Sequence, residues 1–176
     1  MVLDEAYVEY LDEEIDSIEW LADFDNLVIT RTFSKAYGLA GLRIGYALSN
    51  PEIADLLNRV RQPFNVSTPA LAAAVAVLGD ENYIQQARKV NAEGMVQLTA
   101  GFDAMGLAYI PSKGNFITVD VQTNGPETYE ALLHEGVIVR PVANYGMPRH
   151  LRVSIGLEQE NQRFLEALAL VLGRKL

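Results

Sequence analysis

The hydrophobic and polar positions of the first 50 residues form short apolar runs separated by one segment with helical spacing. Three runs rich in apolar or β-branched residues predict strands, at 1–10 ("MVLDEAYVEY"), 26–33 ("NLVITRTF") and 41–49 ("GLRIGYALS"). Residues 16–24 carry Ile18, Leu21 and Phe24 at helical spacing, which predicts a crossover helix. The first run ends in acids, as a buried strand does at the carboxyl edge of a sheet. This order of elements is typical of an α/β layer.

The rest of the chain first favours helices and then alternates strands with helices. Helices are predicted over 49–62, from Ser67 onward, and from near Asp80 to a stop at Gly106. Beyond this stop, the pattern predicts strands at 107–111, 115–121, 137–141 and 151–156, and helices at 126–135 and 158–173. We therefore predict a partial large domain over 1–62, which includes the start of a connecting helix. A small α+β domain is predicted over 63–176.

Composition limits the kinds of site that the chain can carry. The 176 residues are 49% hydrophobic and include no cysteine. One or two globular domains fit this composition, whereas disulfide scaffolds and Cys-ligated metal sites do not. The only histidines, His134 and His150, have no metal-ligand spacing to another ligand, so no metal site is expected.

Charge and hydropathy bear on the localisation of the protein and on nucleic-acid binding. The net charge of −9 arises from ten acids within residues 4–25, a segment without Lys or Arg that we interpret as a solvated face. Since the chain has no basic stripe with interleaved aromatics, nucleic-acid binding is not expected. No signal-peptide pattern is present, and the most apolar run, at 70–78, is too short to cross a bilayer. We expect a soluble, cytoplasmic protein.

The stretch "RTFSKAYGLAGLRIGY" at 31–46 carries the strongest candidate chemistry. The hydroxyls of Thr32 and Ser34 and the guanidinium of Arg43 suit a phosphate dianion. Lys35 lies among them with mostly apolar neighbours. Partial burial and nearby cations lower the pKa of a lysine, and its neutral amine can then attack a carbonyl. A phosphate-bearing aldehyde such as pyridoxal phosphate matches this set, and an ordinary charged surface loop is the alternative.

The same stretch resembles the cofactor-lysine motif of fold-type I pyridoxal-phosphate aminotransferases. In that motif a hydroxyl residue, the Schiff-base lysine and an arginine eight positions later stand where Thr32, Lys35 and Arg43 stand here. The segment "SKAYGLAGLRIGY" is similar in sequence to the corresponding segment of the histidinol-phosphate aminotransferase branch. The resemblance implies that Lys35 forms the Schiff base with pyridoxal 5′-phosphate, while Thr32, Ser34 and Arg43 hold its phosphate. It also implies a cytoplasmic homodimer with a partial large-domain sheet followed by a small α+β domain.

A second motif, "DEAYVEY" at 4–10, lies upstream of the lysine. A carboxylate at the end of a strand can pair with a protonated pyridine nitrogen, although an ordinary acidic strand end explains the residues equally well. A similar "DEAY" precedes the lysine motif in the family by about this interval. The resemblance therefore implies that Asp4 binds the pyridine nitrogen and Tyr7 the phenolic oxygen. It gives no role to Glu5.

Two arginines near the C-terminus are candidate anion-binding residues. Arg140 in "GVIVRP" and Arg152 in "HLRVSIG" each lie beside apolar strand residues. A guanidinium can pair bidentately with carboxylate or phosphate, and the alternative is an arginine that extends to solvent at a strand edge. The family resemblance implies that Arg152 binds the α-carboxylate of an amino acid and that Arg140 contacts the substrate phosphate.

The resemblance implies transamination between histidinol phosphate and 2-oxoglutarate, which gives imidazole-acetol phosphate and glutamate in histidine biosynthesis. Two further hypotheses stay open. One is an aromatic aminotransferase or a threonine-phosphate decarboxylase with the same site. The other is a non-catalytic fragment that acts as a folded or oligomerising module. Aldehyde binding at Lys35 separates the enzymes from the fragment.

The resemblance covers essentially all 176 residues but only the C-terminal half of a family member. Because the first predicted strand begins almost at Met1, we expect a truncation, a split gene product or a fragment. Three large-domain strands leave an unpaired sheet edge, which favours association. We therefore predict that the isolated chain binds the cofactor poorly or dimerises to cover that edge, and that it is active as an aminotransferase only with its missing half.

Overall fold

The computed structural model describes residues 1–13 and 15–176, which form two compact units, Met1–Arg88 and Lys89–Leu176. The strands of the described chain are β1 (Val2–Asp4), β2 (Val28–Thr32), β3 (Gly45–Ser49), β4 (Tyr109–Ile110), β5 (Phe116–Asp120), β6 (Arg140–Pro141) and β7 (His150–Ser154). Its helices are α1 (Pro51–Val60), α2 (Thr68–Val77), α3 (Glu81–Met105), α4 (Gly125–His134) and α5 (Glu158–Leu172). The mixed α/β architecture confirms the predicted fold class. The domain boundary at residue 62 stays a prediction.

The first unit contains a three-stranded sheet with the order β1-β2-β3. β1 runs parallel to β2, with Asp4 opposite Thr30, and β3 runs antiparallel to β2, with Tyr46 opposite Arg31. Since β1 is an edge strand, Val2 is exposed, and the prediction of a buried first strand is wrong. The third predicted strand begins only at Gly45, because residues 40–42 form a tight turn.

The predicted crossover helix at 16–24 is also wrong. Only the single 3₁₀ turn Glu19–Ala22 forms there, and Ile18 and Phe24 are exposed. A short helix is marginal in water unless it buries an apolar face. The segment has the apolar spacing of a helix, but two of the three spaced apolar side chains do not pack into a core. The spacing alone therefore does not produce a helix.

Two capped helices follow the first sheet, as the sequence predicts. The side chain of Asn50 accepts a hydrogen bond from the Ile53 N–H (2.9 Å) and begins α1. The hydroxyl of Ser67 accepts from the Ala70 N–H (3.3 Å) and begins α2. Both helices carry proline in the first turn, where no backbone N–H is needed. None of the described helices combines the length and the apolar composition that a bilayer crossing requires.

The second unit is built on an antiparallel sheet with the order β4-β5-β7-β6. Its core joins the C-terminal part of α3, both later helices and one face of the sheet. The largest fully buried side chains of this core are Leu98, Phe102, Ile117, Val119, Leu132, Leu151, Leu165 and Leu168. The strand predicted over 137–141 is shorter, because only Arg140 and Pro141 pair with β7.

Candidate active site

The loop that carries Lys35 is held at both ends. The Phe33 N–H donates to the Ile44 carbonyl (3.2 Å), and the Leu39 N–H donates to the Phe33 carbonyl (2.9 Å). Phe33 and Ile44 are buried with Ala70 and Ala74 of α2 in the small core of the first unit. Within the loop, the Gly38 N–H donates to the Lys35 carbonyl (2.9 Å). Lys35 therefore lies on a closed turn whose base is packed, directly after β2.

Two residues of this loop have left-handed backbones. Gly38 has φ +71°, and a side chain there would collide with the hydroxyl of Tyr83. Arg43 has φ +52°, which is uncommon for a residue with a Cβ. Its guanidinium Nη1 donates to the Ala40 carbonyl (2.8 Å) and lies 3.4 Å from the hydroxyl of Ser34. The turn thus brings the predicted phosphate-binding arginine to one of the predicted hydroxyl residues.

The other predicted hydroxyl residue lies two positions earlier. The hydroxyl of Thr32 accepts a hydrogen bond from the Ser34 N–H (3.0 Å). Thr32, Ser34 and Arg43 therefore form one local set of hydroxyl groups, a backbone N–H and a guanidinium. Neutral donors beside a forked cation are the groups that bind a phosphate well.

The upstream motif lies beside the lysine loop. The Nζ atom of Lys35 is 5.5 Å from the ring centroid of Tyr7, within the range of a cation–π contact. Asp4 ends β1 with an exposed carboxylate, and one of its oxygens accepts from the Ala6 N–H (3.1 Å). Because Asp4 is the register partner of Thr30, it shares a sheet face with Thr30 and Thr32. The structure brings Tyr7 to Lys35 and puts Asp4 on the strand next to the one that leads to the lysine.

Arg140 and Arg152 are brought together in the second unit. They are direct register partners on β6 and β7, so their side chains leave the same face of the sheet. The guanidinium of Arg152 also lies 5.0 Å from the ring centroid of Phe116. Among the described residues, neither arginine has a carboxylate within ion-pair distance. Like charges directly opposite each other destabilise a sheet, and a bound anion offsets that repulsion.

A buried polar cluster lies on the opposite face of the first sheet, and sequence reasoning missed it. The Nε atom of Arg31 donates to the Oε2 atom of Glu5 at 2.8 Å. Burial lowers the pKa of Arg31, but hydrogen bonds to Glu5 and Tyr46 outweigh this effect and the net pKa shift is upward. The signal available in the sequence was that Glu5 directly follows Asp4 and Arg31 directly precedes Thr32.

Two more titratable groups belong to this cluster. Burial raises the pKa of Glu9 above its ordinary value, and the Oε2 atom of Glu9 is buried without a hydrogen-bond partner in the described part of the chain. Burial and then the negative charge of Glu9 raise the pKa of Tyr37. We name Glu5, Glu9, Arg31, Tyr37 and Tyr46 the rear cluster.

Comparison with known proteins assigns the fold and the family. The sequence pattern of "Aminotransferase class I and II" matches residues 1–168, and the chain belongs to this family. Histidinol-phosphate aminotransferase 2 of Pseudomonas fluorescens (strain Pf0-1) is 61% identical over 176 residues, which is 99% of this chain and 48% of that relative. The chain spans about half the length of the curated relatives it matches.

Solved structures agree with the family assignment. The histidinol-phosphate aminotransferase from Sinorhizobium meliloti, in complex with pyridoxal-5′-phosphate, superposes with a TM-score of 0.85 and 35% identity, over 98% of this chain and 48% of that one. The L-threonine-O-3-phosphate decarboxylase from Porphyromonas gingivalis gives a TM-score of 0.86 at 26% identity, over 98% and 55%. The predicted family and fold are therefore confirmed. The roles predicted for individual site residues stay predictions.

Proposed function

We propose that the protein carrying this chain is a pyridoxal-phosphate-dependent aminotransferase that interconverts histidinol phosphate and imidazole-acetol phosphate with the glutamate/2-oxoglutarate pair. The observation that carries this proposal is the surroundings of Lys35. Its amine is 5.5 Å from the Tyr7 ring, on a loop where the Arg43 guanidinium lies 3.4 Å from the Ser34 hydroxyl. An amine next to a phosphate-suited donor set matches a phosphorylated aldehyde. The identity to relatives of that name supports the choice of substrate.

The residues present fit the cofactor, because each of its polar groups has a chemically matched side chain in the first unit. When bound, pyridoxal phosphate supplies an electrophilic aldehyde and an electron sink. Lys35 would hold the aldehyde carbon through its Nζ atom, and its freed amine would take the proton from the substrate α-carbon and deliver it to the former aldehyde carbon. Asp4 pairs with the ring nitrogen and keeps it protonated, and Tyr7 donates to the phenolic oxygen. Thr32, Ser34 and Arg43 bind the phosphate.

Arg152 and Arg140 bind the anionic groups of the substrates. In this proposal, Arg152 takes the α-carboxylate of glutamate and Arg140 takes the phosphate of histidinol phosphate. The register pairing of the two arginines supports the assignment, because both guanidinium groups leave one face of the sheet without a carboxylate partner among the described residues. The aromatic face of Phe116 favours one orientation of Arg152.

A homodimer in the cytoplasm completes the proposal. Large apolar side chains of α1, α2 and the loop between them are exposed in the first unit. They are Leu56, Leu57, Val60, Phe64, Leu71, Val75 and Leu78, which we name the apolar helix face. A concentration of exposed apolar side chains on neighbouring segments of the chain favours a protein–protein interface. A second copy that covers it removes this surface from water.

The decisive experiment is chemical trapping at Lys35. The protein is mixed with pyridoxal phosphate, reduced with borohydride and digested, and the modified lysine is identified by mass spectrometry. We expect the cofactor adduct on Lys35 and no adduct at this position in Lys35→Ala. The matched control is Lys113→Ala, which removes an exposed lysine of the second unit and should leave trapping at Lys35 unchanged.

Measurement of turnover then distinguishes the proposed aminotransferase from a decarboxylase with the same site. We expect the appearance of glutamate when histidinol phosphate and 2-oxoglutarate are supplied together to the full-length protein that carries this chain. Release of carbon dioxide from threonine phosphate without transamination would instead identify a decarboxylase. An absence of any Lys35 adduct at saturating cofactor, with the chain folded, would reject both enzymes and leave the non-catalytic fragment.

A further inference from the structure

The ion pair between Glu5 and Arg31 joins the two strands that lead to the candidate cofactor residues. Glu5 is the neighbour of Asp4, and Arg31 is the neighbour of Thr32. The Glu5 N–H donates to the Thr30 carbonyl (2.9 Å) and extends the parallel ladder of β1 and β2 by one bond. The side chains then pair at 2.8 Å. Backbone and side-chain bonds therefore meet at the carboxyl ends of both strands.

The pair and the candidate cofactor residues lie on opposite faces of this sheet. Asp4, Thr30 and Thr32 share one face, because they are register partners or are two residues apart. Glu5 and Arg31 follow and precede them by one residue, so they project from the other face. The pair cannot act as a direct ligand of a cofactor bound beside Asp4. It acts on that face only through the strands it joins.

Glu5 is buried and Arg31 is partly buried, unlike the partners of another ion pair in the same unit. The side chains of Arg31 and Glu5 are 18% and 8% exposed, whereas those of Arg59 and Asp55 in α1 are 69% and 53% exposed. Exposed ion pairs contribute little to stability, and removal of one partner from a buried pair leaves an uncompensated charge. The Glu5–Arg31 pair is therefore the one that can hold strand ends in place.

Three elements restrain Arg31. Glu5, the residue after β1, accepts a hydrogen bond from it, and Tyr46 is its register partner on β3. The carboxylate of Glu9, from the 3₁₀ turn Val8–Tyr10, interacts with it electrostatically. Arg31 thus spans the whole width of the sheet. A guanidinium with partners on both sides has few alternative rotamers, so the strands on either side of it keep one separation.

We propose that Glu5 and Arg31 are a positioning pair for the cofactor site, and the inference rests on the proposed function. The pair fixes the separation between Asp4, which takes the ring nitrogen, and the Thr32–Lys35 segment, which takes the phosphate and the aldehyde. A cofactor held at both ends needs this separation to be constant, because small displacements of reacting groups cost large factors in rate and binding. Neither Glu5 nor Arg31 touches the cofactor.

The test combines a cofactor-independent measurement with a cofactor-dependent one in Glu5→Gln. Amide hydrogen exchange of the protein without cofactor is measured for peptides covering 2–8 and 28–38. We expect exchange in Glu5→Gln to be about tenfold faster in these peptides, because the strand ends open locally. The dissociation constant of pyridoxal phosphate and the pH midpoint of its visible absorption are then titrated. We expect binding about tenfold weaker and a displaced midpoint.

Two further variants separate positioning from a loss of folding. Asp55→Asn makes the same change of charge in the exposed Arg59–Asp55 pair and should alter none of the three readouts. Glu5→Gln/Arg31→Gln removes both charges of the pair, so neither partner is left as a lone buried charge, and the double variant should fold as well as Glu5→Gln. Its cofactor binding should nevertheless stay weak, because the restraint between the strands is gone.

The results distinguish a positioning role of the pair from a purely structural one, and both from a failure of the proposed function. Unchanged exchange in Glu5→Gln would overturn the proposal, since the pair would then not hold the strand ends. Faster exchange with unchanged cofactor affinity and an unchanged pH midpoint would overturn it as well and leave a purely structural pair. Failure of the wild-type protein to form the Lys35 adduct would reject the proposed function itself, together with the inference that rests on it.

Discussion

The two units of this chain differ in how well they bury their own apolar side chains. The second unit encloses Phe102 completely, with aromatic neighbours at 5.9 Å (Tyr109) and 6.2 Å (Phe164) between ring centroids. In the first unit, Phe64 is 97% exposed and Val60 is 79% exposed, although both lie in or beside well-formed helices. The second unit has the larger buried core and exposes only single apolar side chains such as Val96 and Leu170 on its helices, whereas α1 and α2 of the first unit expose several each.

The candidate cofactor residues and the candidate association surface both lie in the first unit. Its small core holds the base of the lysine loop through Phe33 and Ile44, while the apolar helix face stays outside that core. Local hydrogen bonds, caps and one buried ion pair hold its elements in place. We infer that the first unit depends on additional protein surface for stability and that the second does not.

We expect the largest loss of stability from Phe102→Ala, which tests the core of the second unit. Truncation of a fully buried phenylalanine removes apolar contacts and leaves a cavity, at a cost of about 3–5 kcal/mol in the free energy of unfolding. The matched control is Phe64→Ala, measured at a protein concentration at which the chain is monomeric, for which we expect a change within about 0.5 kcal/mol. Denaturant unfolding followed by circular dichroism measures both. Equal losses in the two variants would contradict the difference between the units.

The next effect concerns association through the apolar helix face. Val60→Lys puts a charge on an exposed apolar position and should weaken the dimer at least about tenfold, because a buried unpaired charge opposes contact. Sedimentation equilibrium measures the dissociation constant. Glu52→Lys, which adds a lysine to an exposed position in the first turn of the same helix, is the control. If both variants dimerise like the wild type, this face is not the interface.

A smaller effect is expected from the helix caps, which are present in both units. Asn50 begins α1 in the first unit, and the Asn124 side chain accepts from the Glu127 N–H (3.2 Å) to begin α4 in the second. Replacement of either by alanine should cost about 1 kcal/mol. We expect faster amide exchange in α1 after Asn50→Ala than in α4 after Asn124→Ala, because α1 has no buried residue and α4 has three. Slower exchange in α1 would argue against this ranking.

Local signals predicted the helices well, because a cap and a proline act within a few residues. The starts of α1 and α2 follow from "SNPE" and from Ser67 with the proline after Thr68. The apolar spacing at 16–24 was misleading, because a helix of that length needs a surface to pack on. Hydropathy also could not reveal that β1 is an edge strand, since that depends on which strands lie beside it.

The candidate site shows the same division between local and long-range information. Thr32, Ser34, Lys35 and Arg43 lie within 12 positions, so their spacing already indicates a common turn, and their roles stay predictions. Glu5 and Arg31 are 26 residues apart, and their pairing depends on the register of β1 against β2. No pattern within either segment fixes that register. The rear cluster could therefore be found only from the folded chain.

The smallest effect is expected from Glu9→Gln, and it depends on pH. The pKa of Glu9 in the folded chain is raised above its ordinary value of 4.5 by burial. A raised pKa means that the fold favours the protonated form, so this contribution to stability is complete below pH 4.5 and is lost as the pH rises through the raised value. Gln stays neutral at every pH. We expect Glu9→Gln to unfold at a higher temperature than the wild type near pH 7.5 and at the same temperature near pH 4.

Glu13→Gln removes an exposed carboxylate nearby and should give no such difference between the two pH values. A Glu9→Gln variant that is less stable at pH 7.5 would mean that attraction to Arg31 outweighs the cost of burying the charge.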